Sequence, residues 1–404
     1  MAEHPRSEEP ERLVVLGAGA AQLGLLEAAA ARDLTVIAVD RNPLAPGFAL
    51  ADERAVISSE DEAGIERLAR ARNAAGIISP GSDWPVGIAA RVAERLGLPH
   101  PIDGATAVLA TTKTRQRERF AAAGVLQPRT FAATDPEITF PCAVKAPDRQ
   151  GQRGLTLVRE PAALQAAIET AAAESRGGGV LVEELIEGPE LTVNAVSCAG
   201  RFIPLTVTDR VLAEPPAFGV ALAHLWPSAY PVGAVIDAAR AAVAALGIEN
   251  GPSYTQIRLG PDGRPYVMEV AARLGGGHDA ELCHAATGVD LADLAVTFAL
   301  GGVPCDELSQ GSASAGVVGG ACVLFLVAPE GVLRETAGVD EAASADGVVW
   351  VRTYRQPGWS FGPLRRGADR AGAILATGDT APAAEARARR AAEAVRFLVD
   401  APAS

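Results

Sequence analysis

Residues 251–277 read GPSYTQIRLGPDGRPYVMEVAARLGGG. Two strand-like runs, SYTQIRL and PYVMEV, flank the turn cluster Pro261-Asp262-Gly263-Arg264, which is the pattern of a β-hairpin. Side chains alternate across a strand. Alternation puts Thr255, Ile257 and Leu259 with Tyr266, Met268 and Val270 on one mostly apolar face. The other face carries Gln256, Arg258 and Glu269, followed by Arg273. A four-residue loop sets Gln256 beside Glu269. Oxygen ligands flanked by cations suit a magnesium-bound nucleotide. A solvated strand face is the plain alternative, but such a face rarely runs straight into Arg-Leu-Gly-Gly-Gly, where backbone can approach a ligand closely.

The chain around this hairpin has 404 residues, enough for two or three domains. At 49% hydrophobic and 21% charged it is globular and buries a sizeable core. A net charge of −13 leaves no global basic footprint, so neither nucleic acid nor a membrane is expected as a partner. Cys142, Cys198, Cys283, Cys305 and Cys322 show no C-x-x-C spacing. They indicate neither a zinc site nor a disulfide framework, and read as small buried residues of a cytoplasmic protein. The start, MAEHPRSEEPER, has no apolar core; it reads as a frayed tail, not a signal peptide.

Toward the N-terminus, RLVVL (12–16), GAGAAQLG, an Ala/Leu helix and TVIAVD (35–40) make a β-loop-α-β unit. AAGIISPG (74–81) and VGIAARVAERLG (86–97) add a strand and a helix, so a mostly parallel sheet is expected. GAGAAQ resembles a dinucleotide fingerprint, with Asp40 at ribose distance, but Gln22 stands where its third glycine belongs. Further on, the reading gives a charged helix from Lys113 to Gly124 and strands PCAVKAP (141–147) and LTLV (155–158) around the loop DRQGQRG (148–154). Strands VLVEELIEG (180–188) and LTVNAVSCAG (191–200) follow, then a helix near 233–246 and, after the hairpin, a helical pair over 281–302. SQGSASAG (309–316) reads as a linker, with strands at about 317–327, 347–354 and 371–376 beyond it and a basic-faced helix near 381–399.

DRQGQRG, between two strands, can lie over phosphates and present its N–H groups, with Lys145 as a point charge close by. A polar hairpin turn is the alternative. Glu183 and Glu184 on an apolar strand suit an adenine pocket, where a carboxylate or strand-edge carbonyl accepts from the exocyclic amine.

Taken in order, Lys113, Lys145, the glycine loop, Glu183, Glu190, Gln256, Glu269 and Arg273 resemble the ATP-grasp superfamily over about residues 12–305, and more loosely to the end. FPCAVKAPDRQGQRGLTLV, VLVEELIEGPELTV and YVMEVAARLGGG carry that resemblance most strongly. It implies an α/β and α+β chain: a Rossmann-like domain (12–110), a two-lobed ATP-grasp domain (111–305) and a small α+β C-terminal domain (306–404). It also implies ATP with Mg²⁺ or Mn²⁺. Lys113 and Lys145 would contact the α- and β-phosphates, and the backbone from Gln150 through Gly151 to Gly154 would cover the triphosphate. Glu183, Glu184 and the backbone near Leu185 and Ile186 would hold adenine, and Glu190 the ribose. Gln256 and Glu269 would hold the metal, and Arg273 would stabilise the transferring phosphoryl group. Two departures reduce negative charge at the metal: Ala271 where Asn is usual, and Gln256 where an acid is more common.

The Ala-Ala-Arg form resembles the branch containing L-amino-acid ligases and related carboxylate–amine ligases. The implied reaction is ADP-forming: a small-molecule carboxylate becomes an acyl-phosphate, and an amine substrate converts it to an amide or peptide. A bicarbonate- or formate-activating enzyme (biotin-carboxylase-like or purine-pathway), an NAD-dependent oxidoreductase and a catalytically weak nucleotide-binding protein remain as alternatives. Arg258, His278 and the segment Asp209–Trp226 are candidates for the substrate side, a structural histidine being the equal reading of His278. Asp83 is either a strand-end ligand residue or a helix N-cap. A homodimer is expected on base rate alone.

Overall fold

The computed structural model describes residues 10–215, 217–305, 308 and 317–400. The linker expected at 309–316 and most of the expected N-terminal tail lie outside the described residues.

The first unit is a four-stranded parallel sheet of β1 (Glu11–Leu16), β2 (Leu34–Val39), β3 (Glu53–Ala55) and β4 (Gly76–Ile78), in the order β3-β2-β1-β4. Parallel neighbours need crossovers, supplied by α1 (Leu23–Ala30) and α2 (Glu62–Ala71); α3 (Asp83–Leu96) follows β4. Covered on both faces, β1 is a continuous apolar run, with Leu13 to Leu16 fully buried. Next come α4 (Gly104–Thr111) and α5 (Lys113–Ala122).

A small antiparallel sheet follows: β5 (Thr130–Phe131), β6 (Cys142–Lys145), β7 (Thr156–Val158) and β8 (Leu181–Glu184), ordered β5-β8-β6-β7. Helix α6 (Leu164–Glu174) packs on it through Ala167 and Ala171. The loop 148–154 joins β6 to β7, as expected.

The large sheet begins with β9 (Glu190–Cys198), β10 (Arg201–Leu212) and β11 (Ala221–Trp226). Helix α7 (Gly233–Ala245), β12 (Gly251–Leu259), β13 (Pro265–Ala271), α8 (Asp279–Thr287) and α9 (Leu291–Ala299) follow. The C-terminal region contributes β14 (Gly320–Leu326), β15 (Gly331–Ala337), β16 (Val348–Thr353), β17 (Ser360–Phe361), β18 (Gly372–Gly378) and β19 (Arg396–Asp400). Eight strands form one antiparallel sheet, β13-β12-β9-β10-β11-β14-β18-β16. β11 pairs directly with β14, Ala223 opposite Leu324, so the sheet runs unbroken past the division expected at residue 305. Leu191, Val193, Val207 and Ile257 bury one face against α7, leaving the opposite face for chemistry.

Two expectations need correction. The helix expected over 381–399 stops at Ala394: Phe397, Leu398 and Val399 belong to β19, paired with β15 in a three-stranded sheet. Its basic face is an ordinary surface, since Arg389 pairs with Glu385 and Arg387 with Asp346. Secondly, Cys198 and Cys305 form a disulfide across 107 residues, with Cα atoms 5.5 Å apart. No local spacing could reveal it, because β9 and the turn after α9 meet only in the folded chain. The cysteines therefore no longer argue for a reducing compartment. Among the described residues no single helix is long and apolar enough to cross a membrane.

Candidate active site

The β12–β13 hairpin sets Gln256 directly opposite Glu269, but not through the four-residue loop expected: Leu259 pairs with Pro265, so five residues lie between them, and without a bulge Gln256 would face Met268. One residue later the register slips: Ile257 faces Val267, and Met268 is the extra residue of a bulge. The apolar face is therefore Thr255, Ile257, Val267 and Val270, while Met268 lines the cleft. This corrects the strict alternation expected for Tyr266 and Met268. At the bulge, Arg117 of α5 donates to the carbonyls of Met268 (2.7 Å) and Val267 (3.3 Å).

Three polar rows cross the free face of the large sheet in register. One runs Arg258–Glu190–Arg210–His224, the next Glu269–Gln256–Thr192–Thr208, and the third Ala271–Tyr254–Asn194–Thr206. Between this face and the small sheet lies a cleft of about 1040 Å³ including its mouth. It brings together Lys113, Lys145, Gln150, Gly151, Glu184, Leu185, Ile186, Glu190, Gln256, Arg258, Glu269 and Arg273, residues spread over 161 positions of sequence, 113 to 273.

Most of these polar groups already hold one another. Lys113 Nζ donates to Glu269 Oε1 (2.9 Å) and to the Arg149 carbonyl (2.7 Å). Burial raises the Glu269 pKa, but Lys113 and Arg273 outweigh it and hold the carboxyl below its ordinary value. Glu190 bridges Arg210 and Arg258, the latter at 2.8 and 3.1 Å. Burial opposes its ionisation, but the two guanidiniums win and lower its pKa. Arg258 also donates to the Ile186 carbonyl at 3.2 Å, so its donors are largely engaged.

The glycine loop docks on the first unit. Gln150 accepts from the backbone N–H of Asp83, the first residue of α3, and Gln152 donates to the Gly219 carbonyl at 3.2 Å. Gly154 lies beneath the cleft wall at φ +67°, where a Cβ would come within 3.0 Å of Ala146 and Glu174. Asp83 is not the helix cap, which is Ser82. Its carboxylate instead grips Arg273, Oδ1 accepting from Nε at 2.5 Å.

Besides Gly154, two expected site residues lie off the cleft lining. Glu183 is fully buried and is not among the residues lining the cleft. Its carboxylate is taken by Arg117 Nε at 2.5 Å and by Lys145, while Glu184, Leu185 and Ile186 line the cleft. His278 is also off the cleft wall, held by Glu281 (2.9 Å) and the Tyr354 hydroxyl (2.6 Å). The sequence reading passed over Arg117 and Tyr254, and named Arg210 and Phe218 only within the segment Asp209–Trp226. Arg117 had a signal, since it stands one turn after Lys113 on the same helix face. So did Arg210, which continues the Thr206–Thr208 alternation.

The GAGAAQ turn is filled by its own chain. Gln22 Oε1 accepts from Gly19 N–H at 3.0 Å, and Asp40 Oδ2 accepts from Ala18 N–H at 3.0 Å. A side chain at Gly17 would meet Gln22 Cδ at 3.0 Å. The donors and the acid that a dinucleotide needs are already used, which removes the oxidoreductase alternative.

Residues 324–400 match the family model of L-amino acid ligase C-terminal domain 2. The chain is 30% identical to the formate-dependent phosphoribosylglycinamide formyltransferase of Burkholderia vietnamiensis, over 97% of this chain and 96% of that protein. The structure superposes on an L-amino acid ligase from Bacillus licheniformis with a TM-score of 0.82, at 21% identity, covering 98% of this chain and 100% of that one. It also matches the biotin carboxylase domain of the Hydrogenobacter thermophilus 2-oxoglutarate carboxylase, solved as a dimer with MgADP, ADP and bicarbonate. There the TM-score is 0.78 at 19% identity, covering 97% of this chain and 91% of that one. The structural likenesses establish an ATP-grasp fold. The near-full-length relative adds descent: the chain belongs to the ATP-grasp superfamily of carboxylate–amine ligases, and is an ATP-dependent, ADP-forming enzyme.

Proposed function

We propose that this enzyme joins a small carboxylate to an amine, an L-amino acid being the expected partner on at least one side. The observation that carries the chemistry is the composition of the cleft. Lys113, Lys145, Arg149, Arg153 and Arg273 meet Gln256 and Glu269 there, and no serine, threonine, cysteine or histidine is among the described residues that line it. Such a site is built to position and neutralise charge. That suits in-line transfer of a γ-phosphoryl group to a carboxylate oxygen with ADP leaving. The amine nitrogen then attacks the acyl carbon, phosphate departs, and the nitrogen loses a proton.

The donor set fits magnesium riding on a nucleotide. Gln256 and Glu269 offer side-chain oxygens from adjacent strands, and the described residues contain no cluster of three or more His, Cys, Asp or Glu that would cage a metal alone. Mg²⁺ usually takes a carboxylate or two and completes its shell with phosphate oxygens and water. When bound here it supplies charge neutralisation across the phosphates. Lys113 and Lys145 hold the α- and β-phosphates, and the 150–154 backbone covers them. Glu184, Leu185 and Ile186 hold the base, and Glu190 the ribose. Arg273, steadied by Asp83, faces the transferring group. In this assignment residues 12–110, 111–305 and 306–404 act as three units. The last closes the substrate end of the shared sheet, which is where the amino-acid-ligase match falls. A homodimer is proposed by analogy with the Hydrogenobacter domain.

A second reading, activation of formate or bicarbonate, is favoured by the formyltransferase relative. Phosphate release from MgATP across a matrix of amino acids, small carboxylates and amines, with mass spectrometry of products, separates the two. A new amide mass appearing only with an acid–amine pair supports the ligase. Turnover with formate or bicarbonate but no amino acid overturns it.

A further inference from the structure

Helix α5 presents one face to two sheets. Lys113 and Arg117, four residues apart, stack on that face, with Gln116 beside them. Gln116 donates to the Val270 carbonyl (2.8 Å) and accepts from Val270 N–H (2.9 Å), while Arg117 donates to the carbonyls of Val267 and Met268. The helix thus grips the β13 backbone on both sides of Glu269 and holds the bulge in place. The same guanidinium reaches the small sheet, where Nε meets Glu183 Oε1. The other carboxylate oxygen of Glu183 meets Lys145 Nζ. Glu183 has no exposed surface, and its pKa is pushed down to about 2, because Arg117 and Lys145 outweigh the cost of burial. A buried carboxylate with two cationic partners is rigid: losing either partner strands the charge.

Accepting the nucleotide reading above, we infer that Arg117, with Glu183 as its counter-ion, is a positioning residue that sets both Lys145 and the Glu269 bulge, tying the phosphate-binding and metal-binding sides of the cleft to one guanidinium. Glu183 then supports the lysine from beneath and does not read the base. A change at either residue disturbs the phosphate and metal end of the cleft while the base contacts at 184–186 stand.

The test uses the full chain and equilibrium binding of ATP and GTP at varied Mg²⁺, with melting temperatures recorded in parallel. Glu183→Gln and Arg117→Gln are each expected to weaken MgATP binding about 10–100-fold, the range seen when the supports of ligating groups are removed, with the ATP-to-GTP preference unchanged. Arg117→Lys keeps a charge beside Glu183 but loses the fork onto β13. Its ATP affinity at saturating Mg²⁺ should stay within about threefold, while the Mg²⁺ needed for half-saturation rises about tenfold. Should the glutamine variants fail to fold, this conservative variant decides the matter. Loss of base preference in Glu183→Gln overturns the inference, because the carboxylate would then be reading adenine. So does wild-type binding of both nucleotide and Mg²⁺ in every folded variant with only a lower melting temperature, which is the mark of a merely structural pair. Failure of the wild-type chain to bind MgATP sinks the nucleotide reading, and this inference with it.

Discussion

Two glycine-rich turns, GAGAAQ at 17–22 and DRQGQRG at 148–154, invite the same reading and end with opposite roles. Each follows a buried strand and offers backbone N–H groups. In the first, Gln22 and Asp40 fold back on the N–H groups of Gly19 and Ala18 and close the space. In the second, the loop stays open to the cleft on one side and is held by contacts such as Gln150 to Asp83, Gln152 to Gly219 and Lys113 to the Arg149 carbonyl, with Asp148 accepting from Arg176 N–H. A glycine turn becomes a ligand site when the rest of the fold leaves its donors unspent. On this view the first unit contributes architecture and the cleft contributes chemistry.

The sharpest attempt to break that division is at the cleft itself. Glu269→Gln should cut phosphate release by roughly 10²–10³-fold, the scale for losing one preorganised charge contact, with little change in melting temperature. A loss below fivefold would remove the pair Gln256–Glu269 from the mechanism. Gly154→Val tests the loop. At φ +67° and with 3.0 Å to Ala146 and Glu174, a branched side chain should cost about 1–3 kcal/mol in chemical denaturation and weaken ATP binding as well.

In the first unit the expected effects are on stability alone. Burial pushes the His100 pKa down to about 4, against the pull of the Ile102 carbonyl, so the folded chain keeps this ring neutral. A histidine with a depressed folded pKa binds fewer protons than the unfolded chain between about pH 4 and 6.5. Stability is therefore complete above about pH 6.5 and declines as pH falls toward 4, by about 3 kcal/mol. Urea titrations of wild type and His100→Gln should show that slope lost in the variant. The smallest effect belongs to Gln22→Ala, expected to cost about 1 kcal/mol through one lost buried hydrogen bond. Turnover should stay within twofold of wild type, with no gain of NAD(H) binding by fluorescence. An activity loss there would erase the contrast between the turns.

Much of the layout was legible because its signals are local. Period-two alternation put Gln256 and Glu269 on one face, although a five-residue loop plus a bulge, not the expected four-residue loop, brings them opposite each other; a lysine-bearing strand followed by a glycine loop marked the phosphate side. The one-residue slip at Met268 was not legible, because the arginine that bonds its backbone stands far away in sequence. The same holds for Glu183, whose strand position reads equally well as a base contact or as a buried counter-ion until Arg117 is seen against it. The Cys198–Cys305 bond and the unbroken sheet from β11 to β14 join segments with no shared pattern.

By itself the sequence determined the ligase class, the order of the cleft residues and the hairpin that pairs the metal-side oxygens, all written in spacing and residue type along short runs. Tertiary structure alone decided which charges are spent on one another and which face the cleft. A carboxylate's role depends on the partners within about 3–4 Å of it, and in this chain those partners arrive from other strands and helices.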